Sequence, residues 1–245
     1  MLRARPRRSW VAAALVLVAL AAAALLARGK EPAPGAPIGL FTTLPILWAD
    51  GPDLAASLKP EGEPHWAREV MAGRGALEPL DTLSSEGLDK LRRLILAQPR
   101  ALAPQENVAL DDWVRGGGQV LLLADPALTE ESRFSLGDPR RPQAVVLLSP
   151  ILTRWGLELL FDEGQPLGPG EREVMGVAIP VNLPGHLATR GQSNCRLWGD
   201  GLAATCAIGQ GRVVVVADAA LLEREQGSAG AKALSWLLDA AFAAR

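Results

Sequence analysis

The sequence predicts an α/β domain on a mostly parallel sheet, carried behind an N-terminal membrane segment. Three observations lead there. Short, almost wholly apolar runs recur along the chain, as in IGLFTTLPILW, RLILAQP, QVLLLADP, AVVLLSP and GRVVVVADAALL, and such runs suit strands covered by helices on both faces. Stretches of helical periodicity separate them, and strands alternating with helices build βαβ units. A further apolar run stands apart at the amino terminus. With 245 residues, 49% hydrophobic and 21% charged, the chain has room for one large domain or two small ones, and collagen-like, coiled-coil and wholly disordered classes are excluded.

Arg3, Arg5, Arg7 and Arg8 form a basic segment, residues 1–9, ahead of WVAAALVLVALAAAALLA, residues 10–27. Eighteen helical residues cover about 27 Å, close to the hydrocarbon thickness of a bilayer. The positive-inside rule places residues 1–9 in the cytoplasm and everything after Lys30 on the far side. The expectation is a single-pass protein of the inner (cytoplasmic) membrane, its C-terminal domain in the periplasm or outside the cell. A cleaved signal peptide is the alternative, but its apolar region is usually shorter, and Leu25 occupies the position three before a cut after Ala27. Residues 28–37, RGKEPAPGAP, read as an extended Pro-rich tether, with the exported domain over 38–245. Four of the 25 basic residues and none of the 27 acidic ones precede residue 28, so the exported part carries 21 against 27, a net −6. That charge disfavours nucleic acid as a partner.

Within the domain, APQENVALDDWVRGGG predicts a helix between two buried strands. Pro104 suits the first helical position, Glu106 the positive end of the dipole, and Leu110, Trp113 and Val114 have core spacing. Gly116, Gly117 and Gly118 end it. SPILTRWG predicts a short helix with Ser149 as N-cap and Gly156 as stop, before LELLFD. Residues 162–207 are rich in Pro and Gly and predict an antiparallel excursion. The last helix starts near Ser228, with Ala231, Leu234, Leu238, Ala241 and Phe242 on one face.

Cys195 and Cys206 are the only cysteines, and on the exported side a disulfide is the leading expectation. Asp200-Gly201, a dipeptide favoured at two-residue hairpin turns, lies midway between them and sets Cys195 opposite Cys206. Strict alternation makes that a hydrogen-bonded pair, the less usual site for a bridge, unless a bulge or longer loop shifts the pattern. A catalytic thiol is the alternative, but neither His65 nor His186 has a local motif linking it to a cysteine. Both histidines lie beside Pro or Gly and read as ordinary surface residues.

Catalytic motifs are absent. The chain has no Walker-A loop, no G-x-G-x-x-G after a first strand and no G-x-S-x-G elbow. No cofactor or metal is expected. Thr42 and Thr43, Gln98 and Arg100, Asp125, and Asp218 all follow apolar runs, and in an open parallel sheet the carboxyl ends of strands line the usual ligand crevice. These six residues are the candidate cleft for a ligand or partner. The alternative is that they cap loops and start turns.

LAQPRALAPQENVALDDWVRGGGQVLLLADP resembles the auxiliary exported domain of gliding-motility-type ABC transport systems. That pattern has a strand ending in Pro, an Ala-Pro helix start, an acidic residue, Leu-Asp, an aromatic, Gly-Gly, then a strand ending in Asp-Pro. LSPILTRWGLELLFDE is similar to the family's next block, and together the two cover Leu94 to Glu163. The resemblance implies a class I glutamine-amidotransferase-like, flavodoxin-like three-layer sandwich. True amidotransferases of that fold carry a nucleophilic Cys on an elbow with His and Glu partners, and none can be placed here. Gln98, Pro99, Asp125 and Pro126 carry over as strand-end residues without a chemical role. The resemblance implies a non-enzymatic, membrane-anchored accessory subunit working with a separate ABC permease and ATPase. The alternatives are an exported hydrolase, with Asp125 or Asp218 polarising water, and a free-standing module binding a small molecule or cell-wall polymer.

Overall fold

Alternating burial along the apolar runs determines how the sheet is filled. The computed structural model describes residues 35–47, 65–135 and 137–243. Its elements in chain order are β1 (Ile38–Thr42), α1 (Trp66–Ala72), β2 (Leu77–Pro79), α2 (Ser85–Leu88), β3 (Arg93–Ala97), α3 (Pro104–Arg115), β4 (Gln119–Leu123) and α4 (Ser149–Arg154). There follow β5 (Leu157–Leu160), β6 (Pro169–Val174), β7 (Val177–Asn182), β8 (His186–Thr189), β9 (Cys195–Trp198), β10 (Ala203–Ile208), β11 (Gly211–Val216) and α5 (Gly227–Phe242). Seven strands form the central sheet in the order β2-β1-β3-β4-β11-β10-β9. The first five run parallel, and β10 and β9 add an antiparallel edge.

Successive residues of a strand face opposite sides, and here both sides are buried. Ile38, Leu40, Ile95, Ala97, Leu121, Leu123, Val214 and Val216 meet α1 and α5 on one face. Phe41, Leu94, Leu96, Val120, Leu122, Val213 and Val215 meet α3 and α4 on the other. The mixed α/β fold with a mostly parallel central sheet is therefore the one the apolar runs predict. Among the described residues no helix is long and apolar enough to cross a membrane. The membrane segment expected at residues 10–27, with its basic flank, lies outside the described residues.

The β3-α3-β4 unit forms as its sequence implies, with Pro104 in the first turn. Its N-cap, Ala103, has no side-chain acceptor, so only one half of a capping box exists: Ala103 N donates to Glu106 Oε2 at 2.8 Å. Gly118 is required by packing, because a Cβ there would lie 2.4 Å from the Trp113 ring.

Four expectations are corrected. AVVLLSP is not a strand. Both edges of β4 are taken by β3 and β11, so residues 144–148 cross the strand ends instead, held by Val146 N on Asp125 O at 3.0 Å. Only its burial alternates: Val146 and Leu148 are buried, while Val145 and Leu147 are exposed. Ser149 is the first helical residue of α4, whose N-cap is Leu148 with no side-chain bond. The buried face of α5 includes Ala233 and Leu237 in place of Ala231. His65 is no surface loop residue. It is buried and caps α1, its Nδ1 accepting from Ala67 N at 3.2 Å.

The antiparallel excursion is present and wider than its composition suggested, running from β5 to β10. β5 pairs with β8 and β6 with β7 outside the central sheet. The β9-β10 hairpin turns at Asp200 (φ 52°) and Gly201 (φ 87°), both left-handed as a two-residue type I′ turn requires. The register sets Cys206 opposite Cys195, and the two are joined in a disulfide. Their Cα atoms lie 4.0 Å apart, the close spacing of a non-hydrogen-bonded pair. Consistently, Cys195 N donates to Ser193 Oγ, and the next rung closes from Ala207 N to Asn194 O. Next to the turn, Leu202 N donates to Gly199 O at 3.0 Å and Gly199 is also left-handed, with φ 57°, so the alternation of bonded pairs changes there while the register stays the one the turn predicts.

Candidate functional site

At the carboxyl edge of the sheet the polar residues that follow β1, β3, β4 and β11 meet, because those strands are parallel and adjacent. The structure shows what they hold. Thr42 Oγ1 donates to Ala97 O at 2.7 Å, and Thr43 Oγ1 donates to Gln98 O. Thr43 Oγ1 also accepts from Gln143 N at 3.1 Å, which ties the 144–148 crossing to the end of β1.

Gln98 is fully buried and sits in the left-handed region, φ 44°. Its Nε2 donates to Asp125 O at 3.0 Å and Gln143 O at 2.8 Å, and its Oε1 accepts from Asp125 N at 2.9 Å. The amide thus replaces the backbone partners that the strands no longer offer beyond their ends.

Asp125 and Asp218 have no exposure. Asp125 Oδ1 accepts from Ala127 N at 2.8 Å and Oδ2 from Ala219 N at 3.1 Å. Asp218 Oδ1 accepts from Ala220 N, and Oδ2 accepts from Asn182 N at 3.0 Å. Burial pushes the Asp125 carboxyl up to about 6, against the pull of the Ala127 and Ala219 bonds. Burial and then the Asp125 charge raise Asp218 well above the usual carboxylate range.

Arg100 does not join this group. It turns along α3, making bonds of 2.8 Å from each terminal nitrogen to the Glu106 carboxylate, and lies 4.8 Å over the Phe41 ring. Glu106, which also accepts from Leu83 N at 3.1 Å, is drawn down to about 2, chiefly by the Arg100 bond. The pair fastens the start of α3 to the segment before α2.

Two residues with specific roles escaped the sequence reading. Asp111 is fully buried and accepts from Arg115 Nε at 2.9 Å, Arg154 Nε at 2.8 Å and Trp155 Nε1 at 3.2 Å. His65 lines a narrow crevice with Leu44, Pro45, Leu128 and Leu222 at the same edge as the strand-end group. Burial and the nearby Arg224 charge lower its imidazole to about 4, so it is neutral at physiological pH. A larger opening of about 310 Å³ lies between α2 and α3, lined by Ser85, Asp89, Arg92, Asp112 and Trp113. Among the described residues no group of three or more His, Cys, Asp or Glu is placed to hold a metal ion.

No protein-family model and no curated protein matches the chain. Solved structures do. One is the exo-beta-1,4-mannosidase Op5Man5 from Opitutaceae bacterium strain TAV5, at TM-score 0.49 and 15% identity, covering 87% of this chain. The chain spans 36% of that enzyme's length. Cytoplasmic Protein STM1381 from Salmonella typhimurium LT2 is similar at TM-score 0.53 and 14% identity, over 84% of this chain and 99% of that one. The mmIFT52 N-terminal domain is similar at TM-score 0.51 and 11% identity, over 82% and 96%. At the identities of these last two the likeness is one of fold.

Proposed function

We propose that the chain is a non-enzymatic, membrane-anchored accessory subunit of an ABC-type transport system, its exported α/β domain serving to bind a partner protein. The observation that carries the reading is Gln98. Enzymes that use a nucleophile elbow hold the reactive side chain on a strained turn between a strand and a helix. The turn from β3 to α3 has such a left-handed residue, and the residue there is a glutamine whose amide bonds three backbone groups. Asp125 and Asp218 are likewise committed to backbone N–H groups, which argues against either as a water-activating base.

Two further points support the reading. The β3-α3-β4 segment and the α4-β5 block carry the resemblance to auxiliary domains of gliding-motility-type transport systems, with the amidotransferase-like, flavodoxin-like sandwich that it implies. The Cys195–Cys206 bond fits an oxidising compartment outside the cytoplasm. A domain of this kind has no ATP site of its own and acts with a permease and an ATPase.

The test is affinity purification of the tagged full-length protein from native membranes in mild detergent, with mass spectrometry of what accompanies it. Stoichiometric recovery of an ATPase and a multi-span permease is the expected outcome. Recovery of the protein alone overturns the proposal.

A further inference from the structure

Asp125 and Asp218 lie two residues beyond the paired ends of adjacent strands, where Leu123 of β4 stands opposite Val216 of β11. Asp125 Oδ2 accepts from Ala219 N, the residue next to Asp218, so the two carboxyls share one small volume. Neither is exposed, and among the described residues no ion pair reaches either. Their four oxygens accept from the N–H groups of residues 127, 182, 219 and 220. Three loops therefore end on this pair: the one after β4, the one after β7 and the one after β11.

Among the described residues, the charges that act on the pair are negative. Glu223, in the turn after β11, adds negative potential to both carboxyls, and its Oε1 accepts from Thr129 Oγ1 at 2.6 Å. Glu130 lines the neighbouring crevice together with Glu223 and His65, and His65 is neutral by burial. Arg224 lies close enough to act on His65. Two N–H bonds per carboxyl stabilise one buried charge, but two like charges in a low dielectric repel strongly.

We propose that Asp125 and Asp218 are both protonated in the closed arrangement and that these protons keep the three loops closed over the strand ends, so that their loss to solvent as pH rises opens the crevice there. The proposal is independent of the transport reading. Each oxygen that accepts an N–H bond keeps a second lone pair, so a proton fits on each carboxyl without displacing a backbone donor.

The direction follows from burial. The closed-state carboxyls are raised, Asp125 to about 6 and Asp218 well above its ordinary value, whereas in an opened loop they return to the ordinary range near 3.9. Closure is therefore fully favoured below about pH 4 and is lost as pH rises through the raised values.

The test is amide hydrogen exchange by mass spectrometry on the full chain in detergent micelles at about pH 5 and about pH 8, corrected for the intrinsic rate. Each unit by which a carboxyl is raised is worth about tenfold. Peptides covering residues 125–130, 180–185 and 217–223 are expected to lose at least about tenfold in protection, while β3 keeps its own. In the double variant Asp125→Asn/Asp218→Asn the loss shrinks to within about twofold, because neither carboxyl is left to titrate. Unchanged protection in the three loops, an equal loss in β3, or a full pH response in the double variant overturns the proposal. Should the double variant fail to fold, the wild-type comparison of loops with β3 decides alone.

Discussion

Asp111 ties three side chains together from a position with no exposure, and its carboxylate shows how one residue sets the contact between two helices. Burial alone would raise its carboxyl. The bonds from Arg115 in α3 and Arg154 in α4 outweigh that and hold it below the usual range. Removing it leaves the buried Trp155 indole N–H without its acceptor, whereas the two arginine heads are half exposed and turn to water. Asp111→Ala is therefore expected to cost about 3 kcal/mol in urea denaturation at neutral pH. A lowered carboxyl contributes stability above its unfolded value and loses it as pH falls, so the difference between variant and wild type should shrink toward about pH 3. A difference that stays constant with pH would show that packing, not charge, is what Asp111 supplies. The sequence held a signal for this residue. Positions 107, 110, 111 and 114 are all buried in α3 with the spacing of one helix face, and Arg115 follows Asp111 by one turn. Two adjacent acids in ALDDW obscured it, since only helix phase separates the buried one from its exposed neighbour Asp112.

Whole elements were legible where local chemistry and long-range packing agree. In β3-α3-β4, Pro104, the three glycines and the two apolar runs all favour the same unit. At the β9-β10 hairpin, Asp200-Gly201 fixes both the turn and the cysteine pairing. What local chemistry cannot show is whether an apolar run finds a free strand edge. AVVLLSP is as apolar as the runs that do form strands, but β4 has no edge left, and nothing in the run records that. The strand-end residues pose the same problem: a Gln, Thr or Asp after a strand reads alike whether it faces a ligand or a neighbouring loop, and the inward turn of Gln98 depends on Gln143, 45 residues away. The hairpin also allows a quantitative expectation. Its disulfide closes a loop with a sequence separation of 11, for which the chain-entropy model gives about 3 kcal/mol. The double variant Cys195→Ser/Cys206→Ser should lose about that much stability in chemical denaturation, without loss of the far-ultraviolet dichroism of the parallel sheet. A loss under about 1 kcal/mol would mean that the β9-β10 register is fixed by the turn and the core alone.

Across the whole molecule the amino edge of the sheet does the complementary work, gathering both ends of the described chain. Arg93, Gln119 and Arg212 are partners in register on β3, β4 and β11. Arg93 donates to Ala36 O, just ahead of β1, and lies 5.7 Å over the Phe242 ring. Gln119 Nε2 donates to Ala243 O at 3.2 Å and Arg212 Nη1 to Ala240 O at 3.1 Å, so the row also receives the end of α5. This helix covers much of one face of the sheet, and Ala233, Leu234, Leu237, Leu238 and Ala241 are fully buried there. Among the described residues its outer side makes one ion pair, with Arg74, whose guanidinium meets Asp239 at 2.9 Å with side chains 29% and 65% exposed. The two kinds of contact differ sharply in strength. A buried leucine truncated to alanine loses its transfer energy and leaves a cavity, together about 2 to 5 kcal/mol, whereas an exposed ion pair contributes about 0 to 1 kcal/mol. Leu238→Ala is therefore expected to lower stability several-fold more than Asp239→Ala, both measured by urea denaturation on the same full chain. Comparable losses from the two variants would show that α5 is held by its rim and the row beneath it, not by the face it presents to the sheet.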